Sequence, residues 1–482
     1  MRKFSQSVSR RRHRSQSTRV RSPGETSRSL ATARLTMSEE SLAVVGGGLV
    51  GSLCACLLGN RGYQVDLYES RDDIRLQEHV PGRSINLALS VRGRAALALL
   101  GLEEEVIERH AIPMRARLIH HPDGSRRAMP YGKEGQAIYS VGRRFLNEVL
   151  LTACEANPNV KIHFRHKLQT ADLDKAHLTF RGPDGQELRV QHRALFGCDG
   201  AYSAVRRQML RRPRFNYSQT YIPHGYLELC IPPTKDGQFA MEVNYLHIWP
   251  RGQFMLIALP NQDRTYTATL FMPFDIFESL SSAEEVLAFF RVHFPDTIPL
   301  IGEDHLVKSY FAVDASPMVM IKCNPYHVAD KSILLGDAAH AMVPFYGQGM
   351  NAGFEDCCLL NELLDQCGLD DLGAVFSKFT TTRNPDAEAI CDLALYNYVE
   401  MRDLVNTPVF MLRKKLDTLL NRLAPSLWIP LYTTVTFSRT RYHECVKNRA
   451  WQDKLLSRMV SGTLASFGVA ALAVGLQYAR NF

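Results

Sequence analysis

Metal-ligand spacing is missing from this sequence: among eleven cysteines there is no Cys-x-x-Cys pair and no Cys/His set spaced for zinc. That argues against a zinc module and for a reducing compartment. Cys54, Cys56, Cys357 and Cys358 fall in helical runs, where packing is the expected role. No apolar core of a secretory signal is present near the N-terminus. Acid is nearly missing from positions 1–36, which hold nine Arg and one Lys against Glu25 alone. This stretch is also poor in apolar residues, as a transit peptide or a disordered tail would be. Its Arg residues cluster instead of spacing along one face, so a dispensable extension with an alternative start at Met37 is the favoured expectation. Taking its +9 from the net charge of +8 leaves about −1 for the rest, so no basic surface for nucleic acid is implied.

What is present is a globular composition, 45% hydrophobic and 22% charged over 482 residues, long enough for two or three domains. Three glycine-bearing segments organise it. Leu42 to Val45 reads as a buried strand running into Gly46-Gly-Gly48-Leu-Val50-Gly51, a helical run to Asn60, and a second strand from Gln64 to Tyr68 that ends at Glu69. This is a dinucleotide fingerprint in context: Gly46 for the turn, Gly48 for approach of a pyrophosphate, Gly51 for helix packing, Glu69 for ribose hydroxyls. It suits FAD and NAD equally. Ala194 to Gly197 is a short apolar strand breaking at Asp199-Gly200, with Ser203 and Arg206 beyond. Ser332 to Asp337 is a third strand closed by a carboxylate, followed by a loop with Gly347, Gly349, Met350 and Asn351 and a helix start. Such a loop lets backbone approach a flat ligand at a helix N-terminus. No second fingerprint with strand context follows, so any second dinucleotide is expected to lack a domain of its own.

In that order, the three segments resemble those of the single-component flavin-dependent aromatic hydroxylases. Gly82 to Ser90, Ile112 to Arg117, Tyr221 to Gly225, Tyr245 to Trp249 and Phe345 to Asp356 are similar to the kynurenine 3-monooxygenase family within that group, over a stretch from about Ser41 to the C-terminus. The resemblance implies hydroxylation of L-kynurenine to 3-hydroxykynurenine by O2 through a flavin C4a-hydroperoxide, with FAD as cofactor and NADPH as cosubstrate. It also implies that the flavin carries the chemistry and that no side chain is catalytic and no metal is used. Arg117 and Tyr131 would hold the substrate carboxylate, with Asn397 and Tyr432 closing the site. FAD would be held by Gly46, Gly48, Val50, Gly51, Glu69, Arg71, Ala88, Arg143, Leu168, Asp199, Asp337, Gly349, Met350 and Asn351. Read without the resemblance, Arg117 is a solvated strand-edge residue, and Asn397 and Tyr432 are core polar residues.

The fold class expected is α/β. A Rossmann-like FAD-binding domain spans 38–112, 136–214 and 331–376, and follows a disordered extension over 1–37. Strands in 113–135 and 215–330 form an inserted, mostly antiparallel substrate domain. The pattern predicts a hairpin around Asp123-Gly124, a helix from Tyr139 to Ala156, and strands over Phe239 to Pro250, Gln253 to Pro260 and Thr265 to Met272. Tyr221, Phe239, Tyr245 and Trp249 read as core, with an aromatic pocket as the alternative. A helical region over 377–457 is expected to break at Pro385, Pro408, Pro425 and Pro430. Met459 to Ala479 carries no charge over 21 residues between Arg458 and Arg480, enough for a transmembrane tail over 458–480, although its glycines leave a peripheral or buried helix open. The resemblance implies attachment to lipid of the mitochondrial outer membrane, with the catalytic part facing the cytosol.

Overall fold

The computed structural model describes residues 36–78, 86–132, 135–459 and 461. The extension up to residue 35, the first part of the Gly82 to Ser90 segment and the uncharged run, apart from Met459 and Ser461, therefore lie outside the described residues. Thr36–Val45 is a central strand of a mostly parallel sheet with an antiparallel edge at His327–Val328, and has Glu187–Gly197 on one side and Val65–Tyr68 on the other. The order runs His327–Val328, Ser332–Leu334, Glu187–Gly197, Thr36–Val45, Val65–Tyr68, Val160–His163. Leu42, Ala43 and Val44 are fully buried, the continuous apolar run that a strand covered on both faces requires. The strand begins before the expected boundary and carries a register break between Ser38 and Leu42. Helices Leu49–Asn60, Arg143–Ala156 and Gly349–Cys367 pack around this sheet. The hairpin Lys167–Asp172 with His177–Arg181, which the sequence did not reveal, extends Glu187–Gly197 antiparallel.

A second sheet is ordered Ser316–Asn324, Asn216–Ile231, Tyr266–Pro273, Phe254–Pro260, Tyr245–Arg251, Ala116–His120, Arg126–Pro130. Every pairing is antiparallel except that of Tyr245–Arg251 with Ala116–His120. The turn at Asp123-Gly124 joins the last two strands as expected. Trp249 and Phe290 are fully buried beneath the helices on one face, and Phe239 packs against the same cluster. Tyr221 is instead exposed. The 239–244 stretch is not strand, and Ser316–Asn324 is one that the pattern did not announce.

Two expectations fail on tertiary context. Residues 138–142 form a strand, not the first turn of a helix: Ile138–Gly142 lies between Asn86–Leu89 and Ile112–Met114 in a three-stranded sheet, and the helix starts at Arg143. Ser140 donates to the Pro260 carbonyl and accepts from Asn86, which fixes the extended form. Pro385 does not break its helix either, for Leu372–Arg402 is continuous. Arg383 and Asp386 beside it are buried in ion pairs that hold the helix across the missing N–H. Pro408, by contrast, opens the Pro408–Leu423 helix, where its lack of N–H is harmless.

Candidate active site

The Gly46 turn works by close approach. Its φ is +106°, and a Cβ there would lie 2.5 Å from the Cys198 carbonyl oxygen. At Gly51 a Cβ would overlap the Gly46 carbonyl, whereas Gly48 has nothing within 4 Å of its Cβ position. Helix Leu49–Asn60 has no side-chain cap, so the first N–H groups beyond Gly48 are left for a ligand. Glu69 is buried. One oxygen accepts from the Gly47 N–H at 2.8 Å, the other from the Arg71 N–H and Nε, both at 2.8 Å. Burial pushes this carboxyl up, but the Arg71 hydrogen bonds outweigh it and hold the group below the usual carboxylate range. Its lone pairs face protein donors, so a ribose hydroxyl would enter by displacing the exposed Arg71 guanidinium.

The third segment converges on the same cleft. Val50 lies against Gly336 and Gly353, where a Cβ would approach its methyl groups to 3.0 and 2.5 Å. A Cβ at Gly347 would meet Ala88 at 2.9 Å. Asp337 exposes its side chain to the cleft; the enclosing protein raises its carboxyl, and the facing Arg143 charge opposes that rise. Asp199 accepts from the Ala204 and Val205 N–H groups through one oxygen, while its other oxygen is buried without a partner. Helix Gly349–Cys367, like the fingerprint helix, has no side-chain cap. Two uncapped helix N-termini, a ribityl-type acceptor in Asp337 and an orphaned Asp199 oxygen form a donor and acceptor set that fits FAD.

The side chains of Asn351 and Leu168 are engaged by protein. Asn351 Oδ1 accepts from the Ser90 and Gly93 N–H groups, and its Nδ2 donates to the Ala88 and Gly347 carbonyls at 2.8 and 2.7 Å. All its capacity is used, so it braces the glycine loop against the Asn86–Leu89 strand. Leu168 is core, opposite Phe180. Met350 packs at the edge of the same core.

Sequence reasoning missed a buried ionic network under the glycine loop. Asp356 accepts from the Gly336 N–H at 2.8 Å, from His340 Nε2 at 2.7 Å and from Arg383 Nε at 2.6 Å. Glu355 bridges Arg383 and Arg92. Arg92 in turn reaches the Val435 and Thr440 carbonyls and lies 3.9 Å over the Tyr442 ring, whose hydroxyl donates to Gln348. Each charge is paired, as burial demands. The C-terminal segment is thereby tied to the loop.

Beyond the loop lies a cavity of about 800 Å³, within the size range of small-molecule sites. Arg117 is buried in its wall. The guanidinium lies 4.3 Å over the Tyr432 ring and 3.2 Å from Glu400, and its Nε has no partner. Tyr131 and Tyr346 stack on either hand of Tyr432, at 5.5 and 5.4 Å between centroids. The buried Tyr131 hydroxyl makes no well-formed hydrogen bond. Burial and the neighbouring Tyr432 push it far up, so it stays a protonated donor. Lys414 across the cavity is lowered to about 8 by burial and by Arg117, with Glu400 opposing. The structure thus gathers Arg117, Tyr131 and Tyr432. Asn397 is not in the lining; its amide donates to the Phe345 carbonyl at 2.7 Å and supports the wall. Glu400 and Lys414 went unnoticed, although Glu400 follows Asn397 by three residues and so shares its side of the helix.

Residues 39–370 match the FAD binding domain family. The chain is 57% identical to the kynurenine 3-monooxygenase of Anopheles gambiae over 91% of its length and 90% of that protein, and 51% identical to that of Sus scrofa over 90% and 92%. A bacterial relative of the same name, from Myxococcus xanthus, is 43% identical over 88% of this chain and 91% of its own. Among solved structures, Pseudomonas aeruginosa PqsL in complex with 2-aminobenzoylacetate aligns at a TM-score of 0.61 and 21% identity, covering 76% of this chain and 97% of that one. The tetrameric form of 2-methyl-3-hydroxypyridine-5-carboxylic acid oxygenase aligns at 0.63 and 20%, covering 78% and 95%. These two share the fold. With a glycine-lined cleft fit for FAD, an aromatic cavity that holds one buried guanidinium, and such identity along nearly the whole chain, the protein belongs to the kynurenine 3-monooxygenase family.

Proposed function

We propose that this chain hydroxylates L-kynurenine to 3-hydroxykynurenine, with FAD in the cleft, NADPH as reductant and O2 as the oxygen source. The observation that carries the substrate is Arg117: a buried guanidinium whose Nε has no partner, beside a Tyr131 hydroxyl that makes no well-formed hydrogen bond. A carboxylate entering the cavity would satisfy both groups at once. Glu400, 3.2 Å from Arg117, then offers an acceptor to the α-ammonium of the same amino acid. The rings of Tyr131, Tyr346 and Tyr432 give the aryl group an aromatic wall.

Bound FAD supplies acceptance of hydride from NADPH and activation of O2. The protein's part is electrostatic and positional. The N-terminus of Gly349–Cys367 has no side-chain cap, and its positive end would favour negative charge on a bound flavin. Asp337 would hold a ribityl hydroxyl, and Asn351 keeps the glycine loop in register with Ala88. Titration of the oxidised flavin spectrum with L-kynurenine tests this reading. A saturable shift is expected, and no spectral response at any concentration would contradict it.

We also infer attachment to the mitochondrial outer membrane through residues 459–479, with the catalytic part in the cytosol. The support is the 21 uncharged residues between Arg458 and Arg480. Among the described residues, no helix is long and apolar enough to cross a membrane. Ending the chain at Arg458 should abolish carbonate-resistant membrane retention, and unchanged retention would overturn the assignment.

A further inference from the structure

Helix Pro408–Leu423 has two faces of different character. Phe410, Arg413, Lys414 and Asp417 line the cavity. At about 100° per residue, Val409, Leu412, Leu419 and Leu423 fall within an arc of about 80° on the opposite side. There they are 79%, 70%, 53% and 71% exposed, and Leu427 just beyond the helix is 63% exposed. Single exposed leucines are ordinary, but a stripe of them on one helix face is not. Lys415, exposed, borders the stripe on one edge, and Arg422, also exposed, lies further round at the rim of the cavity. The only acid of the helix, Asp417, is buried and accepts from Trp428 and Arg413.

The neighbouring helix, 442–459, fixes the direction of this stripe. Asp417 pairs with Arg449 at 3.3 Å and Arg413 with Asp453 at 2.6 Å. One turn back on the first helix is one turn forward on the second, so the two run antiparallel and the last turn before Met459 comes beside Val409. The leucine stripe therefore begins where the chain passes into its uncharged C-terminal run.

We propose that the exposed leucine face of Pro408–Leu423 lies in the interfacial layer of a lipid bilayer, with Lys415 among anionic headgroups. This contact takes its orientation from the membrane reading of residues 459–479 but is separate from it. An amphipathic helix with apolar residues on one face and a cation at the rim suits such a layer, where charge complementarity adds to burial of the leucines. Since the other face of the helix walls the cavity, the substrate site is held at the membrane surface.

The test uses the full-length flavoprotein in phosphatidylcholine vesicles containing phosphatidylserine and a photoactivatable phospholipid, with labelled peptides mapped by mass spectrometry. Label is expected on 409–423 as well as on 460–482. In the Leu412→Glu/Leu419→Glu variant, label on 409–423 should fall about tenfold or more while tail label and flavin absorbance persist. Label on the stripe without label on the tail would support the contact and overturn the tail anchor. Label on the tail alone, as when a second copy or the tail itself covers the stripe, overturns the contact. Undiminished stripe label in the variant also overturns it, and absence of label on both segments overturns both readings.

Discussion

Arg117 and Glu400 meet at 3.2 Å inside the cavity, with the guanidinium stacked 4.3 Å over Tyr432. One nitrogen is thus engaged by a resident carboxylate while Nε remains unpaired. A second carboxylate can dock without displacing the first. Arg117→Ala should therefore cost about 1.5–3 kcal/mol of binding, the range for a hydrogen bond to a charged group. That is roughly ten- to hundredfold weaker L-kynurenine affinity. Flavin content should not change, because Arg117 lies in the second sheet. Arg117→Lys should recover part of the loss, since an ammonium keeps the charge but not the fork. Spectral titration of each variant gives the comparison, and wild-type affinity in Arg117→Ala would contradict the role.

Glu400 separates the two ends of an amino acid. With its charge removed in Glu400→Gln, L-kynurenine should bind roughly tenfold more weakly through loss of the partner for its ammonium. A deaminated analogue, with the carboxylate and no α-amino group, should instead bind as well as or better than before, because repulsion between two carboxylates is relieved. Parallel weakening of both ligands would show that Glu400 acts only by holding Arg117.

Asp337 has its side chain open to the flavin cleft, faced by Arg143. Loss of its acceptor in Asp337→Ala should weaken FAD about ten- to hundredfold, as measured by flavin retained through gel filtration and by reconstitution of the apoprotein. Asp337→Asn keeps an acceptor oxygen and should retain more. Full flavin occupancy in the alanine variant would remove Asp337 from the site.

His247 predicts an acid sensitivity remote from the flavin. Its Nδ1 lies 2.9 Å from His120 Nε2, and its Nε2 lies 2.7 Å from the Glu242 carbonyl, with Trp249, Tyr266 and Arg126 around it. Burial lowers it from 6.5 to about 4. Between these values the unfolded chain takes up a proton that the folded chain refuses. Stability should hold above pH 6.5 and fall as pH drops towards 4, by at most about 3 kcal/mol from this group. Urea midpoints at neutral and acid pH measure it. A His247→Gln variant should show a shallower fall, and an identical slope would locate the acid sensitivity elsewhere.

The cofactor cleft was largely legible because its signals are local: glycines that must sit at a strand end, and carboxylates at fixed offsets from them. Gly46 makes its turn, Gly51 its close approach, and Asp337 follows its strand. The brace role of Asn351 was hidden, because its four partners lie on Ala88, Ser90, Gly93 and Gly347. The cavity was less legible. Arg117, Tyr131 and Tyr432 come from a strand, the segment after its partner, and a distant helix, and only family resemblance joined them before the structure did. Pro385 and the Ile138–Gly142 strand misled for the same reason, since ion pairs and neighbouring strands overrode local preference. The Arg92–Glu355–Arg383–Asp356 network had no sequence signal, because charged residues in helices ordinarily face water.

Turnover in the holoenzyme is the most direct test of the central claim. NADPH oxidation would be followed with and without L-kynurenine, with oxygen uptake and product mass recorded together. The account predicts slow oxidation alone, marked acceleration with L-kynurenine, and a product heavier by one oxygen atom in amounts matching NADPH consumed. Acceleration without oxygenated product, or no response to L-kynurenine while another aromatic compound is hydroxylated, would contradict it.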